Sequence, residues 1–185
     1  MTALPGTSRL RREEGFTLIE LLIAMMVLTI GILALVGAYS SGFVTLTRAT
    51  KISSAEMIAD SQMERFHALQ YSAIQLNTTC GASCTEDSTY TSDSAYSSTA
   101  QVTGCTTTDV FCLPTQTKTG PDGQSYRMDT FITYSCPSGT LSTSPSLTCG
   151  STQPLPVKLV TVVVRRGTSG TWLREQSTFS SLTGT

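Results

Sequence analysis

The stretch GFTLIELLIAMMVLTIGILALV, residues 15–36, decides the fold of this chain of 185 residues. From residue 16 onward it supplies about 20 apolar residues, the number that an α-helix needs to cross a membrane. Glu20 is its only charged residue. The nearest basic residues are Arg9, Arg11 and Arg12 before the stretch, and Arg48 and Lys51 after it. This asymmetry predicts a cytoplasmic amino terminus and an exported carboxyl end.

The residues ahead of the apolar stretch predict an unusual processing site. An ordinary secretory signal is cut after its apolar stretch, which is then lost. Here the polar sequence RREEG, residues 11–15, ends directly at the apolar run. A protease at the cytoplasmic face could therefore remove a leader of residues 1–15 and leave the helix attached. We expect the membrane helix to survive maturation.

This boundary resembles a known family. Residues 15–33, GFTLIELLIAMMVLTIGIL, are similar to the amino-terminal signature of type IV prepilins and of the related pseudopilins of type II secretion. The resemblance implies cleavage between Gly15 and Phe16 by a prepilin peptidase, followed by methylation of the new Phe16 amine. Gly15 and Glu20 occupy the two positions that the family treats as diagnostic.

The resemblance also implies a role and partners. The full signature covers residues 9–38, and ADSQMERFHALQY, residues 59–71, is weakly similar to minor pilins of the PilV type. Such a chain is a structural subunit without a cofactor. It lies in membrane lipid first and is then assembled with other pilins into a filament by an inner-membrane platform. A pseudopilin of a type II secretion system and a filament-displayed adhesin are the alternatives.

Glu20 has a physical interpretation of its own. A carboxylate in a membrane helix costs about 2.5–3.5 kcal/mol, so it usually marks a buried partner. Cleavage after Gly15 would create an amine on Phe16, which lies one helical turn from Glu20 on nearly the same face. Glu20 could pair with this amine in its own chain or, as the family implies, in a neighbouring subunit. A protonated Glu20 near the membrane boundary is the alternative.

Beyond the membrane segment, predicted for residues 16–38, the helix is expected to continue over residues 39–72. Mostly apolar residues recur there at steps of three and four, as on one face of a helix: Ile52, Ala55, Ala59, Gln62 or Met63, Phe66 and Leu69. The simplest architecture is one helix of about 50 residues. Gly31, Gly37 and Gly42 are expected to weaken it locally, because glycine is a poor helix former.

Six cysteines follow the apolar stretch and indicate an oxidising compartment. They are Cys80, Cys84, Cys105, Cys112, Cys136 and Cys149. Their spacing lacks the paired C-x₂-C units and histidine partners of a structural zinc site, so we expect disulfides and no metal. About 15 pairings are open, of which the local closures Cys80–Cys84, Cys105–Cys112 and Cys136–Cys149 require the least chain reorganisation.

The exported head is expected to comprise residues 73–185. Ser and Thr dominate residues 77–124 without a sustained period, which predicts loops. Strands are predicted at residues 125–134, 157–166 and 171–180, where alternation or β-branched residues occur between turn signals. The predicted fold class is α+β: a long amino-terminal helix packed on a small antiparallel β-sheet of three or four strands, with disulfide-tied loops.

Composition argues against several functions. The formal net charge is −1, and residues 77–124 carry five acidic residues against Lys118 alone, so direct binding of nucleic acid is disfavoured. His67 is the only histidine and no nucleophile motif accompanies it, so we expect no catalytic residue and no enzyme. Asn77-Thr78-Thr79 fits a glycosylation pattern that we interpret as chance.

Overall fold

The structure, a computed structural model, describes residues 16–79, 86–106, 109, 111–136, 141–142, 157–167 and 170–180. The chain divides into two compact units, Met1–Leu46 and Thr47–Thr185. One α-helix, α1, spans Leu18–His67. Its 50 residues confirm the predicted single long helix. It is unbroken at the three glycines, so the predicted local weakening does not interrupt its hydrogen bonding.

The second unit is built on an antiparallel sheet with strand order β1-β2-β4-β5. The long strands are β2 (Ser125–Ser135), β4 (Val157–Arg166) and β5 (Gly170–Phe179), each within one residue of its predicted bounds. At one edge β2 also pairs with β1 (Thr115–Thr119) and with the two-residue β3 (Leu141–Ser142). β2 and β4 are the central strands and are largely buried.

One face of the sheet packs on the carboxyl-terminal part of α1. The helix contributes Ala55, Ala59, Met63 and Phe66 to this core, all of them buried. The sheet contributes side chains that alternate along its strands: Tyr126, Met128, Ile132, Val160, Val162 and Val164. This arrangement confirms the predicted α+β packing of helix on sheet.

The other face of the sheet is covered by part of the segment for which loops were predicted, residues 77–124, where the structure adds two short elements, β1 and a four-residue helix. A short helix, α2 (Ser88–Thr91), lies on this face, and the Asp87 side chain caps it by accepting from the Tyr90 N–H at 2.9 Å. Tyr90 is fully buried, stacks on Phe131 with ring centroids 4.3 Å apart, and donates to the Thr130 carbonyl at 2.7 Å. Isolated aromatic residues of this kind create no period in the sequence, so periodicity could not predict them.

Residues between α1 and β1 add to the same unit. A 3₁₀ turn, Tyr71–Ala73, follows α1, and Leu76 then pairs with Thr103 in a parallel bridge. Leu76 and Val102 are buried in the core between helix and sheet. The Ser/Thr-rich segment is therefore part of the packed head, and some of its few apolar residues are buried against the sheet.

Candidate processing and assembly segment

The first turn of α1 begins at the predicted processing boundary. Thr17 precedes the helix, and its carbonyl accepts from the N–H groups of Glu20 and Leu21 at 3.1 and 3.2 Å. Its hydroxyl also accepts from the Glu20 N–H at 3.4 Å. Thr17-Leu18-Ile19-Glu20 has the spacing of a capping box, in which a carboxylate also suits the partial positive charge of a helix amino terminus. Sequence reasoning missed this local role, although the T-x-x-E motif could have indicated it.

The predicted site residues of this segment lie at its exposed start. Phe16 is 80% exposed and Glu20 is exposed in the first turn. Among the residues that the structure describes, Glu20 forms no ion pair. Gly15 and the leader lie outside the described residues. The chain alone therefore supplies no described counter-charge for Glu20.

The apolar side chains of α1 between residues 16 and 46 are exposed on every side. Leu28 is 63% exposed and Met26 71% exposed. Leu35, Tyr39 and Phe43 border a shallow apolar depression of about 400 Å³, and the two aromatic rings lie 6.3 Å apart. By length and composition this helix can cross a membrane, a test that signal sequences near an amino terminus also pass. An apolar surface of this extent needs lipid or other protein to cover it.

Three of the six cysteines lie among the described residues. Cys105 and Cys112 form a disulfide with their Cα atoms 6.2 Å apart, one of the three local closures considered above. Cys136 is disulfide-bonded too. Cys80, Cys84 and Cys149 lie outside the described residues. The Cys105–Cys112 bridge joins the segment covering the sheet to the approach to β1, so it closes a loop within the head.

A chain of alternating charges holds the covering segment on the sheet. We call it the charge clasp, and in order its members are Asp87, Arg127, Asp129, Arg165, Asp93 and Arg174. Asp129 is fully buried and accepts from Arg127 Nε at 2.8 Å and from Arg165 Nε. Three strands thus contribute arginines to acids of the covering segment and of β2. The clasp pairs Asp87 and Asp93 with arginines, although both lie in the segment for which the sequence predicted loops.

The charge clasp lowers the pKa values of its two outer carboxylates, Asp87 and Asp93. The Arg127 guanidinium hydrogen-bonds Asp87 at 2.5 and 2.8 Å and, against the opposing effect of burial, lowers the pKa of Asp87 to about 2. Burial raises the pKa of Asp93, but the Ala95 N–H and two arginines outweigh it, so the net shift is downward. Both carboxylates are therefore more stable ionised in the folded head than in an unfolded chain.

Lys158 anchors the end of the helical layer to β4. It is 2% exposed, and its Nζ donates to the carbonyls of Tyr71 and Ile74 at 2.6 and 2.8 Å. The ammonium also lies 4.4 Å from the centre of the Tyr71 ring. Burial lowers the pKa of Lys158 to about 8. We interpret this lysine as a structural tie, because its donors are directed at backbone carbonyls.

The remaining candidates have ordinary packing roles. The His67 ring packs against the Phe179 ring at a tilt of 44°, with ring centroids 4.8 Å apart. Asn77 is 2% exposed, and its side-chain Oδ1 accepts from the N–H and hydroxyl of Thr79, so its side-chain amide is not presented for glycosylation. Across the described part of the chain no three His, Cys, Asp or Glu side chains are grouped to hold a metal ion.

Comparison with known proteins identifies the amino-terminal segment. Residues 10–36 match the family model described as the prokaryotic N-terminal methylation motif. Neither the curated proteins nor the solved structures contain a significant match to this chain. The matched range includes Gly15, Phe16 and Glu20 and continues into the exposed apolar half of α1. The chain therefore carries the amino-terminal signature of a type IV pilin-like prepilin.

Proposed function

We propose that this chain is a minor pilin, a non-enzymatic structural subunit of a type IV pilus. The observation that carries the proposal is that the methylation motif, residues 10–36, coincides with a helix whose apolar side chains are exposed on all sides. Such a helix can anchor the chain in a membrane and later pack among the helices of other subunits. The head, tied by its own core and charge clasp, would be displayed on the filament.

Maturation would begin with hydrolysis of the Gly15–Phe16 peptide bond by a prepilin peptidase at the cytoplasmic face. Residues 1–15 would leave with the Gly15 carboxylate, and Phe16 would keep a free amine that is then methylated. The high exposure of Phe16, 80%, supports this step because the enzyme must reach the bond beside it. Residues 16–38 would form the membrane and assembly segment, and residues 73–185 the exported head.

Glu20 would direct assembly by pairing with the Phe16 amine of a neighbouring subunit. Two observations support this role: Glu20 is exposed, and it forms no ion pair with described residues of its own chain. A carboxylate in lipid is costly, so transfer to a site with a counter-charge favours the assembled state. The capping box with Thr17 gives Glu20 a competing, purely local role.

The processing step can be tested by mass. The full chain would be expressed with and without a prepilin peptidase, and its intact mass measured. With the peptidase we expect residues 16–185 carrying one added methyl group, and without it the uncleaved chain. The Gly15→Val variant should remain uncleaved with or without the peptidase. The matched control Gly6→Val, within the same leader, should be cleaved normally when the peptidase is present. A wild-type chain left intact by the peptidase would exclude the pilin proposal.

The role of Glu20 can be separated from helix capping. Glu20→Gln should leave membrane insertion unchanged and reduce incorporation into filaments roughly tenfold or more, because a charge pair is strong in a low-dielectric environment. Thr17→Ala removes the cap but keeps the carboxylate, so it should assemble nearly as well as wild type. Incorporation would be measured by quantitative immunoblotting of sheared filaments. Equal losses for both variants would assign Glu20 to capping instead.

Two features of the sequence favour a pilus over a secretion machine. The similarity of residues 59–71 to minor pilins and the Ser/Thr-rich head support the pilus, while a pseudopilin would share the same signature. Deleting the gene should reduce surface pili without reducing the export of secreted enzymes. The opposite pattern would assign the chain to type II secretion.

A further inference from the structure

A small pocket lies in the head beside α1, at the edge of the sheet where β1 ends. Its volume is about 240 Å³. Residues from α1, β1, the β1–β2 turn and β2 line it: Met57, Ile58, Ser61, Gln62, Arg65, Lys118, Thr119, Pro121 and Met128. The lining combines an apolar wall with cationic and neutral polar groups, and it contains no carboxylate. Such a lining suits a negatively charged group carried on a short apolar stem.

The two cations of the pocket lack a counter-charge. Arg65 extends from α1 and Lys118 from β1, and neither forms an ion pair with the residues that the structure describes. Burial and the positive charge of Arg65 both lower the pKa of Lys118. Two positive groups therefore repel each other at one pocket, and an incoming anion would relieve that repulsion.

Gln62 gives a second, independent indication of a missing acceptor. It is 2% exposed and its side chain lines the same pocket. Its Nε2 is buried without a hydrogen-bond partner. A buried donor without an acceptor is costly, and such groups in native structures usually have a partner elsewhere. A carboxylate in the pocket would supply acceptors for Gln62 as well as for Arg65 and Lys118.

The opposite flank of the head carries the complementary charge. Glu56, Asp60 and Glu64 are exposed and recur at every fourth position, so they form one line along α1, which we call the acidic line. Asp60 raises the pKa of Glu175 on β5, after the larger effect of burial, and this places the acidic line on the β5 side. β1 and β5 are the two opposite edges of the sheet.

We propose that the pocket receives a carboxylate from the acidic line of a second copy of this chain, so that heads associate side by side. The contact is heterologous, because the pocket of one copy meets a different surface of the next. Heterologous contacts that do not close into a ring continue into open filaments. This inference rests on the proposed function and names a lateral contact between copies of this subunit within the filament.

A charge swap tests the contact. In the pocket variant Arg65 and Lys118 become Glu, and in the line variant Glu56, Asp60 and Glu64 become Lys. Each variant alone would place like charges against each other and should self-associate roughly tenfold more weakly than wild type. An equimolar mixture restores complementary pairs in both directions and should return to within about twofold of wild type. Sedimentation equilibrium of the full chain in non-ionic detergent measures these affinities.

Matched controls separate this contact from association through the membrane helix. Arg48→Glu reverses an exposed charge on α1 outside the pocket and should leave association unchanged. Arg65→Gln with Lys118→Gln removes the attraction without adding repulsion and should give an intermediate loss. Wild-type association by either charge-reversed variant alone, or a mixture that fails to recover, would overturn the contact.

Processing and filament incorporation of the wild-type chain would be measured in parallel. If the chain is cleaved after Gly15 and enters filaments but the mixture does not recover, the proposed function stands and this contact is wrong. If the chain is neither cleaved nor incorporated into filaments, both the proposed function and the proposed contact are wrong.

Discussion

The two halves of α1 are both apolar but differ in what covers them. Before residue 47 no described helix residue is buried, and Leu28 is 63% exposed. After it, Ala59 and Phe66 are fully buried while Glu56 and Asp60 remain exposed. In the second half most of the apolar side chains lie on one face, which its own head covers. The first half makes no such distinction, so it is suited to surroundings that are apolar on every side.

This difference has an energetic meaning. Burying apolar surface contributes about 25 cal/mol per Å², and the first half obtains no such contribution from the head. Its stability must come from lipid before assembly and from other helices afterwards, if the proposed function is correct. Substitutions in the second half should therefore act on folding of the isolated chain, and those in the first half should act on assembly.

Truncating one large side chain in each half gives the largest expected contrast. Phe66→Ala should lower the free energy of unfolding of the head by about 3–5 kcal/mol, because it opens a cavity between helix and sheet. Leu28→Ala should change it by less than about 0.5 kcal/mol. Urea unfolding of the full chain in detergent, followed by near-ultraviolet circular dichroism, measures both. Similar losses for the two variants would show that the first half contributes to folding of the head.

The buried centre of the charge clasp provides the next contrast. Asp129→Asn keeps the shape but leaves Arg127 and Arg165 without their shared carboxylate, and breaking a buried pair in this way costs about 3 kcal/mol or more. Asp109→Asn removes an exposed carboxylate of the same head and should have little effect. Thermal unfolding of the two variants would be compared with wild type. A near-neutral Asp129→Asn would mean that the arginines find other partners.

The sequence predicts the elements whose patterns are long. The length of α1 and the bounds of β2, β4 and β5 follow from sustained periods, apolar runs and turn signals such as residues 120–123 and 167–170. The methylation motif is similarly readable, because the abrupt change at Gly15 and the lone Glu20 are local features. The hydrophobic pattern and the methylation motif are both encoded in consecutive residues.

The covering segment could not be predicted in this way. Tyr90 is one aromatic residue in a polar tract, and its burial depends on Phe131 and Thr130, about 40 residues further along the chain. The clasp likewise joins Asp87 to Arg127 and Asp93 to Arg165. Such pairs are set by strand register, which no local period reveals. The pocket at Arg65 and Lys118 was missed for the same reason.

Protonation of Asp87 in acid should destabilise the head slightly, and this is the smallest of the expected effects. The pKa of Asp87 is held at about 2 by Arg127, below its ordinary value of 3.8. Because the folded value is depressed, the stabilisation is complete above about pH 4 and is lost as the pH falls towards 2. Asp87 is 43% exposed, so solvent screening limits the contribution to about 1 kcal/mol or less.

Asp87→Asn isolates this contribution. At neutral pH the variant should be less stable than wild type by that amount, and the difference should shrink between pH 4 and pH 2, where wild-type Asp87 takes up a proton. Chemical unfolding across this range measures it, with Asp109→Asn as the exposed control. Equal stability of Asp87→Asn and wild type at every pH would show that Asp87 acts through its cap on α2 rather than through its charge, because the amide oxygen of Asn can still accept from the Tyr90 N–H.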